Sequence, residues 1–427
     1  MSTGLVLMFV ALAVCLLIGV PVAFSIRISC MTLLYVNGGP SLDILLQRMV
    51  SGAKSFNMLA MPMFIFAGAL MVYGSTPRLI RLANMLLRRV PGGLGATAMA
   101  ACGFFGAVSG SGVASAAAIG KIIGPSMLEQ GYPKGLTAGL IAAGGTMACI
   151  IPPSIVMVVY SASANVSIGD MFLAGFIPGV ITILALITLN CVIAKKRGTQ
   201  NLAHNYTSKE KVAIWLDALL PLVTPVIILG GVLSGILTAT EASVIAALYA
   251  FLLAVFVYNE INLKKFVKVA CESVVSSSII LFIIAAATPF GWIMATQNIP
   301  QMFTTALLTL TSNPYVILGI FFVLLLILGC FMETICIIIL MTPILLPIAK
   351  QMGLEPVHFG IAMLMNLAVG GCTPPLSVCL FTSCRILKMR IEESFPDMWY
   401  VLIVVTLCAL LALVWPDLSM FLVNLSK

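Results

Sequence analysis

Apolar residues run along this chain in long stretches, interrupted only by short clusters of charged or turn-forming residues. A helix needs about 20 such residues to cross the hydrocarbon core of a bilayer. The pattern therefore predicts spans near 4–25, 57–73, 136–160, 171–193, 217–236, 238–257, 269–294, 357–382 and 397–424. Residues 26–56 are less regular, because Arg27, Asp43, Arg48 and Lys54 break the run. A short or tilted helix at 28–38 and an interfacial helix at 42–55 are expected there.

Composition agrees with that pattern. Hydrophobic residues make up 61% of the 427 and charged residues only 8%, against roughly 25% charged in an average soluble domain. The mean hydropathy of +1.16 and the length point to an all-α polytopic membrane protein forming one membrane domain. A net charge of +8 would by itself suit a nucleic-acid or other anionic partner, yet the basic residues sit in short clusters between spans, so no nucleic-acid partner is expected. Twelve cysteines lie scattered in apolar stretches without a C-x-x-C, beside only two histidines, His204 and His358. They read as small buried hydrophobes, with no cofactor, transition metal or disulfide framework implied. The first stretch, Gly4 to Phe24, lacks a basic n-region and is followed by further spans, so it reads as a retained helix.

Four basic clusters set the orientation: Arg78, Arg81, Arg88 and Arg89; Lys195–Arg197; Lys264, Lys265 and Lys268; Arg385, Lys388 and Arg390. All should face the cytoplasm. The connections Ser161–Asp170 and Ala295–Tyr315 hold no Lys or Arg and should face the other side, as should both termini. Residues 97–131 must then make an even number of crossings, and their centre, Ser109-Gly110-Ser111-Gly112, suits a turn better than a helix interior. A re-entrant hairpin entering from the cytoplasm satisfies both demands. The same logic makes 315–353 a hairpin entering from outside, with its turn around Gly329–Glu333.

The chain also repeats itself. Placing Pro152-Pro153 on Pro374-Pro375 (374 − 152 = 222) also places Pro125 on Pro347, Gly131 on Gly353 and Ser161 on Ser383. Residues 1–212 and 213–427 each read as three spans, a hairpin (97–131; 315–353), a broken helix (136–160; 357–382) and a closing span. Five net crossings per half invert the second copy. Inverted repeats with broken helices characterise secondary transporters, whose sites lie where the repeats meet.

The chemistry should sit at the breaks. Gly144-Gly145-Thr146-Met147-Ala148-Cys149-Ile150-Ile151-Pro152-Pro153-Ser154 cannot sustain an unbroken helix, since each proline removes a donor and clashes one turn back. The carbonyls set free are tolerated in a bilayer only when buried in protein or lining a polar cavity, where a sodium ion can use them. Beyond the prolines a restarted helix offers its positive end to a carboxylate. A packing kink would explain one such motif; a second, Gly370-Gly371-Cys372-Thr373-Pro374-Pro375-Leu376-Ser377, stands at the equivalent place. Ser109 and Ser111 add oxygens at the first hairpin tip, although small residues there also permit close packing. Glu333, an ionisable group at membrane depth, reads as a cation ligand or an organiser of the second tip. Glu241 is open between a functional role and a capping box with Thr238. Asp217 and Glu272 read as interfacial, Asn298 and Asn366 as possible polar ligands, and the stretch Met58–Met71 as packing. Lys121 either neutralises an anionic substrate or snorkels and pairs with Glu129.

With those segments in place, the whole chain resembles the large membrane (M) subunit of the tripartite ATP-independent periplasmic (TRAP) transporters. The resemblance rests on Leu59-Ala60-Met61-Pro62-Met63-Phe64-Ile65-Phe66-Ala67-Gly68, Pro91-Gly92-Gly93-Leu94-Gly95, Ser109-Gly110-Ser111, Gly131-Tyr132, Ile151-Pro152-Pro153-Ser154, Thr240-Glu241-Ala242 and Thr373-Pro374-Pro375. It implies an elevator in a bacterial inner membrane, in which hairpins and broken helices carry substrate and sodium past a scaffold. The implied partners are a small four-helix membrane (Q) subunit and a periplasmic substrate-binding (P) protein. The implied sodium sites are Ser109, Ser111, Ala148, Ile151 and Pro153 for the first, and Glu333, Gly370 and Thr373 for the second. Gly145, Ser154, Pro374, Ser377 and Asn298 are the substrate-proximal candidates. Gly112, Ala148 and Ala239 depart from the frequent serine, glycine and proline of the family. Family substrates include C4-dicarboxylates, sialic acids and keto acids, and the chain looks most similar to the sialic acid members. Two rivals remain: a carrier of like architecture working alone, and a structural subunit of a respiratory or pumping complex. No enzymatic activity is expected.

Overall fold

The computed structural model describes residues 3–37, 42–54, 56–198, 206–311, 313–374 and 377–426, and every regular element among them is helical. The first half holds α1 (Thr3–Leu17), α2 (Val22–Asn37), α3 (Leu42–Ala53), a 3-10 turn (Phe56–Leu59), α4 (Ala60–Leu87), α5 (Gly93–Ser109), α6 (Gly112–Glu129), α7 (Lys134–Ala148), α8 (Ile155–Ala164) and α9 (Ile168–Arg197). The second holds α10 (Ser208–Leu233), which begins before the expected boundary at 212/213, α11 (Ala239–Leu252) with a π-helical turn (Leu253–Val257), α12 (Leu263–Thr296), α13 (Ile299–Leu310), α14 (Pro314–Phe331), α15 (Thr334–Gln351), α16 (Pro356–Gly370), α17 (Val378–Ile386), a 3-10 turn (Ile391–Ser394), α18 (Phe395–Val414) and α19 (Pro416–Ser426). Eight helices among the described residues, α14 and α15 included, are long and apolar enough to cross a membrane.

Both expected hairpins and both breaks are present. Residues 97–131 form α5 and α6 around Gly110, and 315–353 form α14 and α15 around Met332-Glu333. The offset of 222 carries Gly112–Glu129 onto Thr334–Gln351 and Lys134–Ala148 onto Pro356–Gly370 without a residue of slippage. The two broken helices run antiparallel. Lys134, at the start of α7, lies 3.9 Å from Glu393, just beyond the end of α17. At the opposite end Tyr160 of α8 donates a 2.7 Å hydrogen bond to the carbonyl of Pro356, where α16 begins. α7 and α16 are buried over almost their whole length, as expected of helices apolar on every face.

Three predicted spans need correction, and one of them, 397–424, is α18 and α19, divided where Trp415 turns extended ahead of Pro416. The predicted span 4–25 is two helices: α1 stops at Leu17, Gly19 takes φ +88°, and Pro21 lacks the amide that would continue the ladder. α2 then runs from Val22 to Asn37 and so takes in the described part of the predicted short helix at 28–38. α4 continues past the predicted end at residue 73, bending at Tyr73-Gly74, where Gly74 takes φ +80° and a Cβ would stand 2.6 Å from the Tyr258 ring. Asp217 braces this bend: Arg78 donates to it at 2.9 Å, reaches Glu260 at 3.4 Å and stacks over Tyr258 with its guanidinium carbon 3.7 Å from the ring centre. α3 packs on α12, with Gly52 against Thr288 and Arg48 over Trp292.

Candidate functional site

At the first break α7 ends at Ala148 and α8 begins at Ile155, because Pro152 and Pro153 can donate no hydrogen bond back along the chain. Met147 O accepts from Ile150 N at 2.8 Å, and Cys149 O from the Ser154 hydroxyl. The carbonyls of Ala148, Ile151 and Pro153 receive no donor among the described residues, and neither does that of Ser109. Glycines let the hairpin tip lie directly on this opening. A Cβ at Gly106 would stand 2.6 Å from Ala148 Cα, one at Gly110 2.9 Å from Pro153 O, and one at Gly112 2.9 Å from Gly145 O. Ser111 caps α6, accepting from Ala114 N at 3.4 Å. Bare carbonyl oxygens beside two serines are the donor set a hard cation takes.

The second hairpin meets the second break in the same way, Gly329 lying against Gly370 so that a Cβ at Gly370 would approach Gly329 Cα to 2.7 Å. Gly370 O accepts from Thr373 N at 3.0 Å, while the Thr373 hydroxyl donates to Val369 O at 2.6 Å. Ser377 caps α17, accepting from Leu380 N at 3.1 Å and donating to Gly371 O. Glu333 opens into the cavity described next, with Cys336 Sγ donating to its carboxylate at 3.7 Å. Pro374 is half-buried in the break; Pro375 and Leu376 lie outside the described residues.

A cavity of about 440 Å³ joins the two tips and the two breaks. The first turns of α6, α8, α15 and α17 all line it, through Gly112, Ile155, Thr334 and Val378 among others. Four helix N-termini thus face one space, and no Lys, Arg or His is among its lining residues. Each positive helix end stabilises a nearby anion by about 0.3–1 kcal/mol when exposed, and by more when partly buried. The opposite wall comes from α4 (Ala69, Tyr73) and α12 (Val269, Glu272, Ser273, Ser276).

Most predicted site residues gather here. Ser109, Ser111 and Glu333 line the cavity; Ala148, Ile151, Pro153, Gly145, Ser154, Gly370, Thr373 and Ser377 form the layer around the breaks. Asn298 does not join them. It sits at the bend between α12 and α13 with φ +52°, its carbonyl accepting from Met302 N. Asn366 ties α16 to α14 by donating to Phe322 O at 2.8 Å. Glu241 forms the capping box with Thr238, and among the described residues no ion pair joins Lys121 to Glu129. Glu272, read as interfacial, also lines the cavity, as do Ile65 and Gly68 from the stretch expected only to pack. A serine-rich segment carrying one acid, Glu272-Ser273-Val274-Val275-Ser276-Ser277-Ser278, was the available signal.

Residues 9–418 match the family described as tripartite ATP-independent periplasmic transporter, DctM component. The chain belongs to this family. Among its relatives is the isethionate TRAP transporter permease protein DctMQ of Oleidesulfovibrio alaskensis, 39% identical over 89% of this chain and 60% of that longer protein. Another is the sialic acid TRAP transporter large permease protein SiaM of Vibrio cholerae, 36% identical over 86% of each. Among solved structures, the YdaH transporter of Alcanivorax borkumensis has the same fold, with a TM-score of 0.62 over 88% of this chain and 90% of its own at 15% identity. The relatives named here are permeases.

Proposed function

We propose that this TRAP large subunit carries an organic acid anion into the cell with sodium, by an elevator movement of the hairpins and broken helices. The observation that carries the reading is the convergence of four helix N-termini on one cavity whose flanks hold carbonyls without donors. The helix ends suit a carboxylate, and the oxygens at Ser109, Ser111, Ala148, Ile151 and Pro153 suit one sodium ion. Glu333, Gly370 and Thr373 suit a second. The antiparallel broken helices support an inverted repeat, 1–212 against 213–427, with both termini on the periplasmic side of a bacterial inner membrane. A periplasmic binding protein delivers the substrate and a small membrane subunit completes the permease, as a separate chain or within a fusion of the DctMQ kind.

Sialic acid remains the first substrate to test, but relatives named for it and for isethionate lie at similar identity. The test is uptake into proteoliposomes holding all three components. Labelled N-acetylneuraminate, succinate and isethionate are offered with and without an inward sodium gradient. Accumulation of one acid only when sodium is higher outside is expected. Uptake indifferent to sodium rejects the coupling, and full uptake by the large subunit alone favours a carrier without partners.

A further inference from the structure

The 222-residue repeat divides the cavity wall into two sets. On the hairpin and broken-helix side much of the wall maps onto itself: Ser111 falls on Glu333, Thr146 on Ala368 and Val156 on Val378, and both members of each pair line the cavity. On the other side it does not. Glu272 and Ser276 of α12 fall on Val50 and Lys54 (272 − 222 = 50; 276 − 222 = 54), and Tyr73 of α4 falls on Ala295. None of these three counterparts lines the cavity. A wall that is two-fold symmetric is therefore seated here against two helices that are not its symmetric partners. The counterpart seat exists: α3 packs against the second half of α12, with Gly52 on Thr288.

We infer that α3 and the second half of α12 form the opposing wall when the cavity opens to the outer side, and that Lys54 is the cation that meets the substrate's carboxylate there. This rests on the inverted repeat and the anionic substrate proposed above. Lys54 is exposed, stands at the end of α3, and makes no ion pair among the described residues. The substitutions between the two walls are directional. The inner wall has a carboxylate, Glu272, where the outer has Val50; the outer has an ammonium, Lys54, where the inner has Ser276. Lys54 draws an anion toward the outer seat, while at the inner seat Glu272, its carboxylate 3.9 Å from Lys268, offers no such attraction, so the two walls favour capture on one side and release on the other.

The test measures sodium-driven uptake of labelled N-acetylneuraminate, succinate and isethionate in proteoliposomes with both partners, for wild type, Lys54→Gln and Lys54→Arg. Lys54→Gln is expected to raise KM by about tenfold with kcat within about twofold, since a charge that only attracts the substrate contributes to binding. Lys54→Arg is expected to restore KM. In exchange from inside-loaded vesicles, Glu272→Gln is expected to lower the half-saturating internal concentration. Unchanged KM in Lys54→Gln, in a wild type that transports one of the acids, overturns the inference. A wild type that moves none of the three under a sodium gradient overturns the reading beneath it.

Discussion

The hydroxyl of Thr373 donates its proton to Val369 O at 2.6 Å, which leaves the oxygen lone pairs free for a cation at the second break. Ser111 is committed differently, since its hydroxyl also accepts from Ala114 N and caps α6. Removing either oxygen should weaken sodium binding, but Thr373→Ala is the cleaner change, because Ser111→Ala also gives up a cap worth about 1 kcal/mol. A hydroxyl bonded to a charged partner contributes about 1.5–3 kcal/mol, so Thr373→Ala is expected to raise the half-saturating sodium concentration by about tenfold or more. Thr373→Ser should recover it, and the amount of protein in the membrane should stay near wild type. Sodium titrations of initial uptake rate check this, and wild-type affinity in both Thr373→Ala and Ser111→Ala would remove these residues from the sites. At this scale the placing of Ser109, Ser111, Glu333 and Thr373 at the hairpin tips and breaks was legible in the sequence, because glycine and proline in an apolar run mark where helices stop. Glu272 was not: whether an acid four residues from Lys268 faces solvent, lipid or cargo depends on what packs opposite it, which no local pattern records.

Many helices here begin or end at a proline or a positive-φ residue, which is local chemistry, although the second tip turns on extended Met332 and Glu333 instead. Hence the hairpins and breaks could be placed from the sequence within a few residues, and Gly131 and Gly353, with φ +82° and +78°, close the returning limbs at equivalent positions. The bend in α4 and the division of α1 from α2 were missed for a related reason, since a single Gly-Pro pair or isolated glycine inside an apolar run also fits an unbroken span. Glycine positions separate conformation from contact experimentally. Gly110 (φ +60°) and Gly131 both occupy a backbone region that costs an L-residue roughly 1–2 kcal/mol. A Cβ on Gly110 would also press on Pro153 O at 2.9 Å, whereas nothing lies within 4 Å of one on Gly131. Gly110→Ala is therefore expected to lift the first hairpin off the first break and reduce sodium-driven uptake at least tenfold. Gly131→Ala should lower thermal stability slightly and leave uptake near wild type. Equal losses in the two variants would show that backbone strain alone, and not the seat of the hairpin on the break, governs transport.

Across the whole molecule, everything proposed depends on the two halves facing opposite ways in the bilayer. The internal contacts require the broken helices to run antiparallel: α7 starts beside the residues that follow α17, and α8 carries Tyr160 to the start of α16. Arg197, closing α9, pairs with Asp397 at the start of α18, on the same level as Lys134 and Glu393. That level carries the basic clusters Lys195–Arg197 and Arg385–Arg390, which the positive-inside bias assigns to the cytoplasm. The loop after α8, turning at Asn165 with φ +54°, is then expected outside, and the loop after α17, turning at Lys388 with φ +51°, inside. A short epitope inserted after Asn165 should bind antibody on intact spheroplasts, while the same epitope after Lys388 should bind only once the membrane is permeabilised. Each insertion should be read in a chain that still supports uptake, so that a misfolded product does not count. If both epitopes are reached from one side, the halves are not inverted. The outer wall assigned to Lys54 then has no symmetric basis, and the symmetric lining of the cavity would need another cause.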